Sequence, residues 1–320
     1  MTNILQSLKF TKGAVATKDF VPAMTHFRIE KGTVRSFNGN LAICSPIALD
    51  LECVPKAETL VRAISNCEEE VVLTLTEKGR LRVQSGNFRA FIETVDTDAI
   101  HPEPSGNIVQ IDGSALLDSF EKISAFVGND ASRPWTNGIL LRGQSAFATN
   151  NVCVIEYWLA IDIPFVVNIP GTAVKEVIRV GEPPSHLQLD NGSVTFHYPG
   201  GRWIRTQLYV TEWPDISKVL DHKCNAVPID PRLYPALDNL TAFADDLTRI
   251  HIKDGVLQTH LDEETGASYE VDGLGIGGIY QIKMLRLLEG VAETADFTRY
   301  PQPVLFFGEK LRGAIVGMRG

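Results

Sequence analysis

The chain has 320 residues, roughly two to three ordinary domains of about 100–150 residues. At 44% hydrophobic and 22% charged it is composed as a folded globular protein, which excludes wholesale disorder. Acids outnumber bases 39 to 30, a formal charge of −9, so net charge alone speaks against a nucleic-acid binder and leaves only local clusters of base to argue otherwise. Five cysteines, at 44, 53, 67, 153 and 224, show no Cys-x-x-Cys spacing. That argues against a disulfide framework or a zinc site and points to a reducing cytoplasm. Residues 1–5 lack the basic region and apolar run of a signal peptide. The most apolar stretch, residues 158–170, is broken by Asp162, Asn168 and two prolines, so no membrane span is expected.

In chain order, residues 4–15 predict an amphipathic helix. Strands follow from 27–29, with a turn near Lys31-Gly32. A second helix starts past Pro55 and carries Leu60-Val61-Arg62. Residues 71–75, a turn at Lys78-Gly79 and residues 81–83 then predict a hairpin, and residues 88–95 a further strand. The order recurs. Residues 114–127 predict a helix and 139–141 a strand; a helix past Pro170-Gly171 carries Val177-Ile178-Arg179. Residues 187–189 and 194–198, around Asn191-Gly192, predict a hairpin, and 203–210 a third strand. It recurs once more with a helix over 231–244, strands from 250–252, a helix past Gly277-Gly278 carrying Met284-Leu285-Arg286, and strands over 304–307 and 314–318.

The apolar-apolar-Arg steps lie 179 − 62 = 117 and 286 − 179 = 107 residues apart, about one third of the chain each. The expected class is therefore α+β. Three similar domains, at 1–106, 107–222 and 223–320, are each a doubled helix-plus-antiparallel-strands unit. Their boundaries fall where proline and polar residues concentrate, and the period-2 alternation of Leu73 and Leu75 against Thr74 and Thr76 predicts sheets with one buried face.

The segment Gly273-Leu274-Gly275-Ile276-Gly277-Gly278 matches GxGxxG after an apparent strand at 268–271 and before a helix. One reading is a dinucleotide loop and hence a nucleotide-dependent enzyme; the other is a glycine-rich turn, because the alternating parallel βα architecture is missing. No GxSxG, HExxH or EF-hand loop occurs, the seven histidines lack ligand spacing, and Glu68-Glu69-Glu70 reads as a solvated helix end. The helices carry outward bases: Lys9 and Lys12, Lys56 and Arg62, Lys122, Lys175 and Arg179, Arg232, and Lys283 and Arg286. Exposed helix faces carry such residues anyway. Six equivalent helices, however, would gather them on one surface.

Several short stretches resemble the bacterial DNA polymerase III beta subunit, the sliding clamp, and the likeness runs across nearly the whole chain. Arg133-Pro134-Trp135-Thr136-Asn137-Gly138-Ile139 resembles its "RP-x-LNG" stretch, and Ala148-Thr149-Asn150-Asn151 its "ATDG" turn. Asn168-Ile169-Pro170 resembles "IIP", Trp213-Pro214-Asp215 "FPD", Gln84-Ser85-Gly86 "RSG", and Ile315-Val316-Gly317-Met318-Arg319 the "VMPMR" tail. The resemblance implies a DNA clamp fold and a head-to-tail homodimer ring of six domains. Such a ring holds double-stranded DNA, tethers a DNA polymerase, is placed by a clamp loader, and does no chemistry with no cofactor or metal. Its DNA-facing bases would be Lys9, Lys12, Lys56, Arg62, Lys122, Lys175, Arg179, Lys283 and Arg286.

It also implies a pocket for short apolar clamp-binding peptides, walled by Thr136, Thr149, Asn151, Val152, Cys153, Val154, Val316, Met318 and Arg319, and a dimer interface near Ile92 and Phe243. The chain departs from the family where Val152-Cys153-Val154 replaces His-Arg-Leu and Gly317 replaces a proline. It also departs at its start, where Ile4 is already helical, so that the first sheet lacks a strand or is patched by another segment. The drifted motifs fit a phage or mobile-element version. Besides the clamp, a nucleotide-dependent enzyme and a structural or interaction β-repeat protein remain as readings.

Overall fold

A computed structural model describes the chain except residues 1–3, 19–20, 98–100, 211, 263–264, 276 and 320. Met1 to Asn3 of the start, Ile276 of the glycine segment and Gly320 of the tail therefore lie outside the described residues. The first third holds α1 (Ile4–Thr11), β1 (Arg28–Glu30), β2 (Thr33–Phe37), β3 (Leu41–Pro46), α2 (Ala57–Ser65), β4 (Val72–Leu75), β5 (Leu81–Ser85) and β6 (Phe88–Ile92). The second holds β7 (Asn107–Val109), α3 (Gly113–Ile123), β8 (Gly138–Thr149), β9 (Cys153–Pro170), α4 (Gly171–Val180), β10 (His186–Asp190), β11 (Ser193–Tyr198), β12 (Arg202–Gln207) and the short α5 (Ser217–Leu220). The last holds β13 (Val227–Pro228), α6 (Leu233–Thr241), β14 (Arg249–Lys253), β15 (Val256–Gln258), β16 (Ser268–Glu270), β17 (Gly277–Gln281), α7 (Ile282–Arg286), β18 (Thr294–Asp296), β19 (Val304–Gly308) and β20 (Leu311–Ile315). Helix, strands, helix, strands thus recurs three times in an α+β protein.

Two compact units divide the chain differently from the sequence repeat. One comprises residues 1–117 and 172–208, the other residues 118–171 and 209–320. The reason is strand pairing. In the first unit β3 of the first third lies antiparallel on β12 of the second, with Trp203 opposite Cys44 and Thr206 opposite Leu41, making one sheet in the order β1-β2-β3-β12-β11-β10-β7. In the second unit β9 lies on β20, with Cys153 opposite Ile315 and Tyr157 opposite Leu311, in the order β13-β18-β19-β20-β9-β8. A three-stranded sheet, β4-β5-β6, completes the first unit, and a four-stranded one, β16-β15-β14-β17, the second.

Helix periodicity places the cores. On α2, Ala57, Leu60, Ala63 and Ile64 fall on one side and bury with Leu8 of α1, Phe27, Ile29, Val34, Leu81, Val83 and Ile92. Asp112 caps α3, its carboxylate accepting the Ser114 and Ala115 amides at 3.0 Å. In the second unit, Ile216 and Leu220 cover Leu140, Phe147, Val154, Leu305 and Ala314 on the six-stranded sheet.

Two expectations are corrected. The glycine segment runs into β17, where Gly277 and Gly278 pair with Lys253 and Ile252. It does not open a helix, because α7 begins only at Ile282. A Cβ at Gly275 would stand 2.5 Å from the Phe297 carbonyl oxygen, so backbone packing accounts for that glycine. The last strand ends at Ile315, not at 318. Residues 158–170 belong to a single 18-residue strand, β9, bent where its register on β8 shifts between Leu141 and Ser145.

Candidate nucleic-acid interface

In the first unit the 3₁₀ turn that continues α1 (Lys12–Ala14), the start of α2 and the body of α4 surround a hollow of about 600 Å³. Lys9, Lys12, Lys56 and Arg179 line it together with Glu58 and Glu176. Lys175 lines an adjoining hollow with Lys18, Asn38 and Asn40. The acids here are already matched. Glu58 takes Arg62 at 3.1 Å and Glu176 takes Arg179 at 2.6 Å, both along one helix.

The bases divide by what they do. Arg179 donates to the Lys9 and Phe10 carbonyl oxygens at 3.2 and 2.8 Å, satisfying two of the carbonyls that the end of α1 leaves without helical partners. Gly13 makes room for this clasp, since a Cβ there would stand 1.8 Å from the Glu176 carboxylate. Lys56 donates to the Thr25 hydroxyl at 2.9 Å. Arg286 donates to the Tyr234 carbonyl oxygen at 3.2 Å and pairs with Asp238 and Glu289 at 3.0 and 3.2 Å, tying α7 to α6. Lys9, Lys12, Lys122, Lys175 and Lys283 are exposed and make no ion pair among the described residues. Arg232, also on a helix start, is held by Asp230 and Asp272. Those five lysines therefore carry exposed positive charge without an ion pair among the described residues, while Arg62, Arg179, Arg232 and Arg286 are engaged within the protein.

In the second unit the sequence-predicted peptide wall is partly assembled. The Gly128 amide is shared by the Thr136 and Thr149 carbonyl oxygens at 2.8 and 3.0 Å. The Asn150 side chain accepts the Val152 and Cys153 amides at 3.1 and 2.8 Å, fixing a turn in which Asn151 takes φ 72°. The tail is held against this turn: the Val316 amide donates to the Val152 carbonyl oxygen at 2.9 Å and the Met318 amide to that of Ile279 at 2.7 Å. The Tyr300 hydroxyl donates to the Met318 carbonyl oxygen at 2.9 Å. Thr136, Thr149, Cys153 and Val154 are buried; Val154 belongs to the core under α5, and burial pushes the Cys153 thiol up to about 12. The surface these residues present is that of Asn151, Val152, Val316, Met318 and Arg319. Sequence reasoning did not find Tyr300 and Ile279, which lie far along the chain and carry no motif.

Of the two interface residues, Phe243 is 55% exposed, just past α6. Ile92 is 1% exposed, inside the first unit's core. The alternation of β6 turns Phe91 outward instead, 51% exposed. Among the described residues, no helix is long and apolar enough to cross a membrane, and no group of three His, Cys, Asp or Glu side chains stands as a metal cluster.

No family model matches the chain, and no curated protein matches it. Solved structures do. A sliding clamp of Pseudomonas aeruginosa, the DNA polymerase III beta subunit solved with griselimycin, is 16% identical with a TM-score of 0.83, over 99% of this chain and 97% of that one. The DNA polymerase sliding clamp of Bacillus subtilis is 15% identical with a TM-score of 0.82, over 99% and 97%. The beta subunit of Streptococcus pyogenes DNA polymerase is 17% identical with a TM-score of 0.81, over 99% and 97%. The chain has the sliding-clamp fold from end to end.

Proposed function

We propose that this chain is a DNA sliding clamp, a cytoplasmic processivity factor without chemistry of its own. In this reading it closes head to tail with a second copy around duplex DNA and tethers a polymerase. The observation that carries the reading is the pattern of strand junctions within a clamp fold. The last strand of the second third, β12, adds to β3 of the first, and the last strand of the final third, β20, adds to β9 of the second. Continuing the series, β6 of one copy adds to β16 of the next. Among the described residues β6 pairs only with β5, and β16 only with β15. Such a contact is heterologous, and closure of two copies yields a ring of six repeats, the three in each chain being residues 1–106, 107–222 and 223–320.

Lys9, Lys12 and Lys175 of the first unit, and Lys122 and Lys283 of the second, would then meet phosphates without reading bases, so the ring can slide. Lys56, Arg62, Arg179 and Arg286 add field but are partly committed to their own neighbours. Val152, Val316 and Met318 would receive the apolar side chains of a partner's short peptide, with Met318 adapting to varied shapes, and Asn151 and Arg319 would orient its polar groups. A polymerase and a clamp loader are the expected bearers of such peptides.

Light scattering at micromolar concentration tests the reading. The expected mass is 2 × 35.2 = 70.4 kDa. A strict monomer that DNA does not assemble, or a dimer with no affinity for DNA at low salt, would instead favour a β-repeat protein that kept the fold and lost the role.

A further inference from the structure

Among the described residues the sheet β4-β5-β6 has no strand on its β4 side, where its two counterparts have one. In the second third β7 lies antiparallel on β10, with Val109 opposite Leu187; in the last, β13 lies antiparallel on β18, with Val227 opposite Ala295. Among the described residues β4 pairs with β5 alone. The side chains register the difference. Leu73 and Leu75 stand opposite Val83 and Leu81, both fully buried, and so point toward the core. Yet Leu75 is 43% exposed and Leu73 only half-buried, whereas Leu187, flanked on both sides, is 0% exposed.

The backbone is equally open. The Thr76 amide donates to the Arg80 carbonyl oxygen at 2.9 Å, and antiparallel ladders alternate. The backbone groups of Thr74 and Val72 therefore face β5, and those of Leu73 and Leu75 face outward. Charges of opposite sign flank this edge. Exposed Glu68, Glu69 and Glu70 precede the strand, while at its far end exposed Lys78 and Arg80 outnumber Glu77, and Arg82 stands opposite Thr74 on β5.

We propose that the β4 edge accepts, by strand addition, an extended segment of a partner polypeptide. That segment runs antiparallel to β4, carries aliphatic side chains at alternate positions, and is followed at its C-terminal end by lysine or arginine. Antiparallel is the sense of both counterpart pairings. It sets the segment's C-terminal end beside Glu68–Glu70 and its N-terminal end beside Lys78 and Arg80, so charge selects both orientation and partner. The aliphatic side chains cover Leu73 and Leu75. The surface lies on the opposite side of the sheet from β6 and does not depend on ring closure.

Fluorescence anisotropy with the full chain tests this, using a labelled peptide Thr-Val-Thr-Val-Thr-Lys-Lys-Arg against the same peptide ending Glu-Glu-Asp. The basic peptide is expected to bind at least tenfold tighter. Glu68→Lys with Glu70→Lys, a pair of exposed changes that leaves the fold intact, should remove that preference. Leu75→Pro takes away an outward amide without breaking the β5 ladder and should weaken binding tenfold or more. Equal binding of the two peptides, or undiminished preference in the double-lysine variant, overturns the proposal. A change in the oligomeric mass of folded Leu75→Pro would make a second copy the occupant and overturn the partner reading.

Discussion

The last strands of the three repeats keep different company. β12 and β20 each lie between a strand of their own repeat and one from the repeat before, while β6 has β5 on one side only among the described residues. At the filled β20–β9 junction the fit is close. A Cβ at Gly313 would stand 2.6 Å from the Val154 carbonyl oxygen and 2.1 Å from the Phe306 ring, and Arg312 bridges Glu156 at 2.7 Å and Asp221 at 2.8 Å. At the open edge Phe91 stands in solvent and β6 has no such bridge among the described residues. A repeat that completes itself twice inside one chain leaves β6 and β16 each with one unpaired side among the described residues, the two edges that the proposed ring would join. Open edges of this kind are otherwise a liability that proteins blunt or cover.

The comparison is broken most forcefully at buried positions. Gly313→Ala puts a methyl group against backbone at the filled junction and should cost about 3 kcal/mol of stability, the scale of overpacking. Ile92→Ala empties a core site and should cost about 2–4 kcal/mol. Both are read by urea unfolding of the full chain. Phe91→Ala, one residue away, should cost the isolated chain less than about 0.5 kcal/mol but raise the dimer dissociation constant tenfold or more by sedimentation. Equal stability losses at Ile92 and Phe91 would mean that the register of β6 is misread.

Next in size is a pH effect confined to the first unit. His101 is buried beside Phe37 of the seven-stranded sheet, and burial, reinforced by Arg28 and Arg35, lowers its pKa to about 4. The unfolded chain binds a proton near pH 6.5 that the native state refuses until about pH 4. The contribution of neutral His101 is therefore complete above pH 6.5 and is lost as pH falls toward 4, about 2 kcal/mol by pH 5. His101→Phe should flatten this part of the stability profile, and an unchanged slope would show that the ring is hydrated in the native state.

Smallest are the surface bases. Lys9→Ala with Lys12→Ala and Lys175→Ala should leave stability within about 0.5 kcal/mol and reduce the slope of log affinity for duplex DNA against log salt by up to about three, one per lost phosphate contact. Arg179→Ala should show the reverse: a modest loss of stability, because two carbonyls of α1 lose their donor, and little change in slope.

The repeat itself was legible because each helix writes its buried face at a spacing of three and four, as in Ala57, Leu60 and Ile64, and because turns such as Asn191-Gly192 punctuate the hairpins. The candidate bases are legible as the charged positions beside those buried stripes, and the tail only through its resemblance to a family motif. What the sequence did not disclose depends on contacts between distant segments. Nothing local tells that Arg179 reaches the end of α1, 169 residues away, or that Met318 is held by Tyr300 and Ile279. Ile92 was misplaced because strand parity, on which face depends, turns over with a shift of one residue. Gly277 and Gly278 matched a motif whose meaning lies in the helix that should follow, and a strand follows instead.

The central claim is encirclement of DNA through β6 and β16. The most direct measurement places cysteines there, Phe91→Cys and Ser268→Cys, and closes the protein on nicked circular plasmid with a short bis-maleimide, with the parent chain as control for its native cysteines. Cross-linked dimers should then survive high-salt gel filtration with the circle and come free when a restriction enzyme linearises it. Cross-linked protein that leaves the intact circle at high salt, or that stays on the linear form, would contradict the account.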